Sequence, residues 1–226
     1  MDDIVRFHMA AMGGEEKIVA LDSIRAEGVV REAGHEMSFA LVAQRPNRVR
    51  ITTRGEGHSL VQGWNGTDSP WRWQPDDSPN AAPMAPSEAR AFGADAEYDD
   101  PLIGGKARGF ALDYAGEMSW RGRAALRVLV TRLGDPAYTL LVDHETYFIV
   151  ARLLPRRLPT GQVTTVITRF SDFRPVSGVI LPFHIEIMAD EKLLQETVLS
   201  EIVALPNPPA ATFATPGASV LLPRTP

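Results

Sequence analysis

Between His35 and Gln74 apolar and polar residues alternate with the period of a β-strand. Met37, Phe39, Leu41 and Ala43 fall on one side of a strand spanning His35–Gln44, with Glu36, Ser38 and Gln44 on the other. Arg45-Pro46-Asn47 leads into a second strand, Arg48–Arg54. There Val49 and Ile51 share the apolar side, and Arg48, Arg50, Thr52 and Arg54 take the other. A third strand follows at His58–Asn65 and a Trp-rich fourth at Ser69–Gln74. Successive side chains of a strand point to opposite faces, so this pattern predicts a sheet with one apolar and one solvated side. Something must cover the apolar side.

The flanking sequence offers covers. Ile4, Phe7, His8 and Met12 recur at helical spacing, Gly13-Gly14 interrupts, and Glu15–Leu21 resumes as a second short helix. This N-terminal pair either packs on the sheet or plugs the mouth of a half-open barrel. A first strand, Ser23–Arg31, turns at Ala33-Gly34, and later turns fall at Gly55-Glu56-Gly57 and Asn65-Gly66. Pro75–Pro86 holds four prolines and breaks the sheet. A short helix over Ser87–Ala94 follows, so residues 75–106 read as a helical lid inserted among hairpins. Beyond Gly109 the alternation returns through Phe110–Tyr114, Leu126–Val130 and Tyr138–Val142. It continues through Thr146–Leu154, Gln162–Phe170, Val179–Met188 and Leu193–Leu205, before a Pro- and Ala-rich tail over 206–226. No strand alternates with a long helix, which excludes a βαβ parallel sheet. The expectation is one domain over residues 1–226, mainly β. Its core is an incomplete antiparallel β-barrel of about 11 strands with N-terminal helices over 1–22 and the lid on the concave side.

Composition narrows the function. Of the 226 residues 44% are hydrophobic, enough for a substantial core, and the net charge of -5 argues against a nucleic-acid partner. The chain has no cysteine, which removes disulfides, Cys-based zinc sites and thiol chemistry. No apolar run reaches the ~18 residues of a membrane-spanning helix, and Met1-Asp2-Asp3 lacks the basic start of a signal peptide.

Candidate chemistry is sparse. His8, His35, His58, His144 and His184 include no pair at HExxH spacing, and Asp143-His144-Glu145 reads as a solvated turn rather than a metal site. There is no Gly-x-Ser-x-Gly elbow, and Gly104-Gly105-Lys106 lacks the spacing of a phosphate loop. Asp99-Asp100 before Pro101 reads as the start of a turn. Asp172 and Arg174 read as a structural pair on one strand face. Trp71 and Trp73, with Trp64, form either core or the wall of a ligand cavity. Arg45 is either an exposed turn residue or a fan of fixed donors that binds the backbone carbonyls of a lid. These residues assemble no catalytic constellation, so no enzyme activity, metal or cofactor is expected.

Gln44-Arg45-Pro46-Asn47-Arg48-Val49-Arg50, with Leu60-Val61 and Asn65-Gly66 ahead of Trp71, resembles the LolA-like family of outer-membrane lipoprotein-sorting carriers. The stretch Phe170–Phe183 is similar to a late hairpin of its broader relatives, and Gly13-Gly14 and Phe213-Ala214-Thr215-Pro216 fit the same pattern. The resemblance implies a half-barrel whose apolar concavity carries acyl chains of lipoproteins or free lipid through the periplasm, between a membrane-bound donor and acceptor. It implies Arg45 as the latch of the lid. The lining residues expected are Met37, Phe39, Leu41, Val49, Ile51, Trp64, Trp71, Trp73, Phe110 and Leu112. The hairpin tips Glu32–His35 and Gly55–His58 lack an exposed Leu for membrane insertion, and there is no anchor Cys, so the soluble-carrier branch fits better. A sensory or regulatory binding domain of the cell envelope is the alternative on the same fold.

Overall fold

A computed structural model describes residues 1–157 and 163–217. Its centre is one antiparallel sheet of 13 strands. The first run holds β1 (Ser23–Glu32), β2 (His35–Gln44), β3 (Arg48–Gly55), β4 (His58–Trp64), β5 (Trp71–Trp73) and β6 (Ala82–Pro83). The second holds β7 (Ala111–Trp120), β8 (Arg123–Thr131), β9 (Tyr138–Asp143), β10 (Ile149–Arg157), β11 (Val163–Val176), β12 (Val179–Ala189) and β13 (Lys192–Ala204). Each run is an up-and-down meander, and they join where β1 pairs with β13. The spatial order runs from β6 through β1 and β13 to β7, so the sheet curves without closing.

The sequence pattern anticipates all of these strands but β6, a two-residue strand inside the Pro-rich stretch that pairs with Trp71 and Arg72. Residues 158–162 and the tail beyond 217 lie outside the described residues.

Three helices lie on the concave side. α1 (Asp2–Ala11) and α2 (Glu15–Ala20) are shorter than the ~12–15 residues that stand alone in water, so packing must hold them. Ile4 of α1 enters a cluster with Leu102, Phe110, Val128, Val130, Leu140 and Val142. Ile18 of α2 enters another with Met12, Leu21, Ala26, Val179, Phe183 and Leu199. Each fully buried aliphatic side chain contributes roughly 1.5–3 kcal/mol. Phe7 is on the helical face read as apolar, yet it stays 41% exposed and rests against Tyr147.

The elbow between α1 and α2 needs glycine. Gly13 has φ +118, and a Cβ there would sit 2.1 Å from the Gly178 carbonyl oxygen. The close approach lets the Ile180 amide donate to the Met12 carbonyl, which seats the elbow on the β11–β12 turn.

α3 (Pro86–Asp95) differs from the other two, because no residue of it is buried. It touches both arms of the sheet. Glu88 pairs with Arg72 of β5, Gly93 lies beside the Trp64 ring of β4, and Asp95 pairs with Arg152 of β10.

The convex side carries its own small core. Phe213 is fully buried there, beneath the C-terminal segment, where its carbonyl accepts from the Trp71 indole N–H and the Thr212 carbonyl accepts from Arg50. Truncating this residue should cost about 3–5 kcal/mol and expose Trp71 to water. A lowered urea midpoint and a red-shifted tryptophan emission in Phe213→Ala are the expected readouts. An unchanged emission maximum would mean that the segment does not cover the ring.

Candidate functional site

Cross-strand registers define which residues face inward. Val30 pairs with Met37, Gly28 with Phe39 and Ala26 with Leu41. Leu41 pairs with Ile51 and Ala43 with Val49. Val49 pairs with Trp64, Ile51 with Gln62 and Thr53 with Leu60. These rows floor a cleft of about 460 Å³ roofed by Phe92 and Asp95 of α3 and by Ala96. Its apolar wall is Val30, Met37, Phe39, Val49, Ile51 and Leu60, with Ile187 across the sheet. Its rim is polar, with Glu32, His58, Gln62 and Gln195. The volume falls in the range of small-molecule sites.

The other expected lining residues go elsewhere. Leu41 packs against the core that α2 fills. Phe110 and Leu112 face inward but belong to the core under α1. Phe110 is also flanked by the guanidinium groups of Arg108 and Arg132, at 5.2 and 4.3 Å from its ring centre. Trp64 is inward-facing and sits beneath Gly93 of α3.

Trp71 and Trp73 require a correction, because they lie on the convex face. Trp71 pairs with Gly63 and Trp73 with Val61, which are the outward positions of β4. Asn65-Gly66-Thr67-Asp68 makes a turn held by the Asn65 side chain, and alternation carried through it puts Trp71 and Trp73, at odd offsets from Trp64, on the opposite face from Trp64. Gly63 makes room for the indole, since a Cβ at that position would lie 2.4 Å from the Trp71 ring.

Arg45 ends β2 at the opposite end of the strand from the Met37 part of the cleft. Its Nε and Nη2 donate to the two carboxylate oxygens of Asp99, both at 2.7 Å. Nη2 also donates to the Ile18 carbonyl at 3.0 Å, and Nη1 to the carbonyls of Val19 and Leu21 at 3.3 and 3.4 Å. These are the carbonyls left unpaired at the C-terminal end of α2, where a cation is favoured. The guanidinium also lies over the Tyr98 ring, 4.8 Å from its centre. The Asp99 hydrogen bond, opposed by burial, raises the Arg45 pKa further above its ordinary value. Tyr98 donates its hydroxyl to Leu21, and burial pushes that phenol's pKa up. Asp99 is four residues past the end of α3, so Arg45 ties the chain leaving α3 to the end of α2.

The neighbouring carboxylate is tied as well. Asp100 accepts from the Leu102 amide at 2.7 Å and from His8 Nε2 at 3.1 Å. His8 is 1% exposed, and its Nδ1 faces the Tyr147 carbonyl at 2.8 Å. Both partners are acceptors, so the ring satisfies them only by carrying both protons. Burial opposes that charge. Asp100 and the two hydrogen bonds outweigh it and raise the His8 pKa above its ordinary value. Arg108 completes the clamp by donating to the carbonyls of Asp99, Asp100 and Ile103.

Tyr98, Asp99 and His8 were not read as site residues from the sequence. One usable signal existed: a histidine on the apolar face of a helix must find hydrogen-bond partners once buried.

The remaining polar clusters are structural. Asp143 receives Arg123 and the Thr146 and Glu145 amides, which overcome burial and lower its pKa to about 2. Asp172 and Arg174 pair at an exposed strand edge. Ser171, His184 and Glu196 are linked in sequence on the convex face, with Glu196 also held by Arg31. They have the residue types of a hydrolytic triad but sit away from the cleft. Among the described residues no group of three or more His, Asp and Glu is arranged to hold a metal ion.

No family model and no curated protein matches the chain. Solved structures do. A DUF1329 family protein from Desulfovibrio piger superposes with a TM-score of 0.65 at 11% identity, covering 94% of this chain and 96% of the other. A LolA superfamily protein from Nitrosomonas europaea gives 0.60 at 13% identity, covering 94% and 96%. A domain named for outer membrane lipoprotein sorting, from Vibrio parahaemolyticus, gives 0.59 at 10% identity, covering 88% and 90%. At such identities the likeness establishes the fold: this chain has the open, curved antiparallel sheet of LolA-like proteins.

Two outcomes follow from the clamp. Arg45→Leu strands Asp99, which is 14% exposed, and should destabilise the protein by roughly 2–3 kcal/mol. A double-mutant cycle with Asp99→Asn should return most of that as coupling, and additive losses would contradict a working pair. For His8 the folded pKa exceeds the unfolded one, about 6.5. Its contribution is therefore complete below the unfolded value and lost as pH rises through the folded value. The stability gap between wild type and His8→Gln should be full below the unfolded value of about 6.5 and shrink as pH rises above it in urea titrations, and a flat gap would rule out the doubly protonated ring.

Proposed function

We propose that the protein is a soluble periplasmic carrier that shelters an acyl chain in the cleft beneath α3 and passes it between a membrane-bound donor and acceptor. One observation carries this reading: an apolar cleft is roofed by a helix that buries none of its own residues. A buried methylene is worth about 0.8 kcal/mol, so a long acyl chain gains on the order of 10 kcal/mol before ordering costs. Binding of this kind makes and breaks no covalent bond. The fold it shares with LolA-like proteins supports the same reading.

In this proposal α3 is the lid, and Arg45, expected as its latch, is the tether of the chain that leaves it. Loading requires α3 to lift from Arg72, Trp64 and Arg152, which are surface or half-buried contacts. Exposed ion pairs are individually worth about 0–1 kcal/mol, so the lid opens at low cost while the Asp99–Arg45 clamp keeps its leash attached. Met37, Phe39, Val49 and Ile51 are the proposed contacts of the chain.

Native mass spectrometry of the purified protein, before and after organic extraction, tests the proposal. The expected result is lipid-sized mass that disappears on extraction. Ile51→Asp should abolish it while leaving the fold intact by circular dichroism. Arg45→Leu should speed hydrogen exchange over residues 86–100 and accelerate release about tenfold. Lipid retained at wild-type levels in Ile51→Asp would overturn the assignment of the cleft.

A further inference from the structure

Arg152 differs from the arginines that grip a carboxylate with two prongs. Arg45, Arg123 and Arg174 each present the Nε–Nη2 edge to a carboxylate, the two-pronged geometry that suits a planar guanidinium. Arg152 meets its carboxylate through Nη1 alone, at 2.8 Å from Asp95. Its Nε is buried and is the one such side-chain atom among the described residues without a hydrogen-bond partner. A buried donor left in this state is costly, and a charged one more so.

The position of Arg152 gives this meaning. It pairs with Leu140 on one side and Thr168 on the other, so it is on the concave face. The same inward row continues through Ile187 and Gln195 to Glu32. Ile187, Gln195 and Glu32 border the cleft, as does Asp95. Arg152 itself does not border it, and Asp95 is the residue between them. The row therefore has a cation at one end and a carboxylate at the other, about 19 Å apart at the usual strand spacing. The Arg152 guanidinium also lies 6.0 Å from the ring of Tyr138. Burial, opposed by Arg152 and Arg132, pushes that phenol's pKa up to about 12, so it stays neutral and able to donate.

We infer that Arg152 is the head-group site of the cleft, and that the occupant is a single acyl chain ending in a carboxylate, a fatty acid. This rests on the carrier reading above and names its ligand. The carboxylate displaces Asp95 and takes the Nε edge that Asp95 leaves unused. Asp95 is already 61% exposed, so its return to water costs little. The tail runs over the apolar floor to Met37 and Phe39 on β2, so that the carboxylate at Arg152 is the end held far from the repelling Glu32. Head-group binding thereby undoes one of the contacts that hold α3, and ligand arrival is coupled to the roof.

The test compares oleate with methyl oleate, which has the same tail and no charge, at concentrations below micelle formation. Calorimetry should show wild type preferring oleate about tenfold or more, the usual scale of a charged hydrogen bond. Arg152→Gln should lose that preference while binding methyl oleate within about twofold of wild type. Asp95→Asn, at a largely exposed side chain that leaves the inner sheet untouched, should bind oleate several-fold more tightly because the competing charge is gone. Equal affinity of wild type for both ligands, or a preference that survives Arg152→Gln, would overturn the head-group site and leave the carrier reading standing. Binding of neither ligand would overturn both.

Discussion

An open, curved sheet has an apolar hollow with no second sheet to fill it, and short helices must close it. Neither α1 nor α2 is long enough to form alone, so the hollow is covered only where something pins them. Tyr98, Asp99 and Asp100 do the pinning. The hydroxyl of Tyr98 reaches the end of α2, Asp99 holds Arg45 against the same carbonyls, and Asp100 holds His8 of α1. Three consecutive side chains thus fasten two helices and the end of β2 to one another. Arg108 fixes the backbone of that segment in turn. Removing any one partner leaves a half-buried charge or donor unpaired, so the cluster behaves as a unit rather than as separate bonds.

The cover divides into a fixed part and a loose part. α1 and α2 each contribute buried aliphatic groups to a core, and the elbow between them is bonded to the β11–β12 turn. α3 contributes none. Its contacts are ion pairs at partly exposed side chains and the packing of a glycine on Trp64. Elements with few buried contacts open at the lowest free energy, well below global unfolding. The fixed part lies over β8, β9 and the centre of the sheet, and the cleft is found under the loose part. That coincidence follows from packing density, because space in a close-packed protein persists where the covering element does not interdigitate.

Much of the sheet was legible from the sequence because alternation is local. Met37, Phe39, Val49 and Ile51 were readable as inward positions, since each strand carries its own period of two. Trp71 and Trp73 are seven and nine residues from Trp64, so alternation carried through Asn65–Asp68 places them on the opposite face, and they emerge on the convex side beneath Phe213. Phe110 and Leu112 show a different limit. Their inward direction was legible, but whether a helix or a cleft lies above them depends on where α1 docks, more than a hundred residues away in sequence. The Asp99 partnership of Arg45 is another contact of this kind. Asp99-Asp100-Pro101 is an ordinary turn sequence, and nothing local distinguishes a solvated carboxylate from one that receives a guanidinium. The two-residue β6 was hidden because Pro83 and its neighbours argue against a strand, and an edge is where a proline-bearing strand is tolerated.

Two concave-side arginines, Arg45 and Arg152, hold the C-terminal end of α3 and the chain leaving it in different ways. Arg45 donates to Asp99 through two nitrogens and to three carbonyls, so every direction of its guanidinium is used and its geometry is fixed. Arg152 holds a single exposed carboxylate end-on and keeps Nε in reserve. A saturated cation gains nothing from a new anion, because each bond made requires one broken. An undersaturated one gains the difference between a one-pronged and a two-pronged contact. The leash of α3 is therefore tied by the arginine that resists exchange, while its end at Asp95 is tied by the arginine that invites it. Both ties act at the C-terminal end of α3, so in the proposed carrier Asp95 is released there while Asp99 keeps the chain attached.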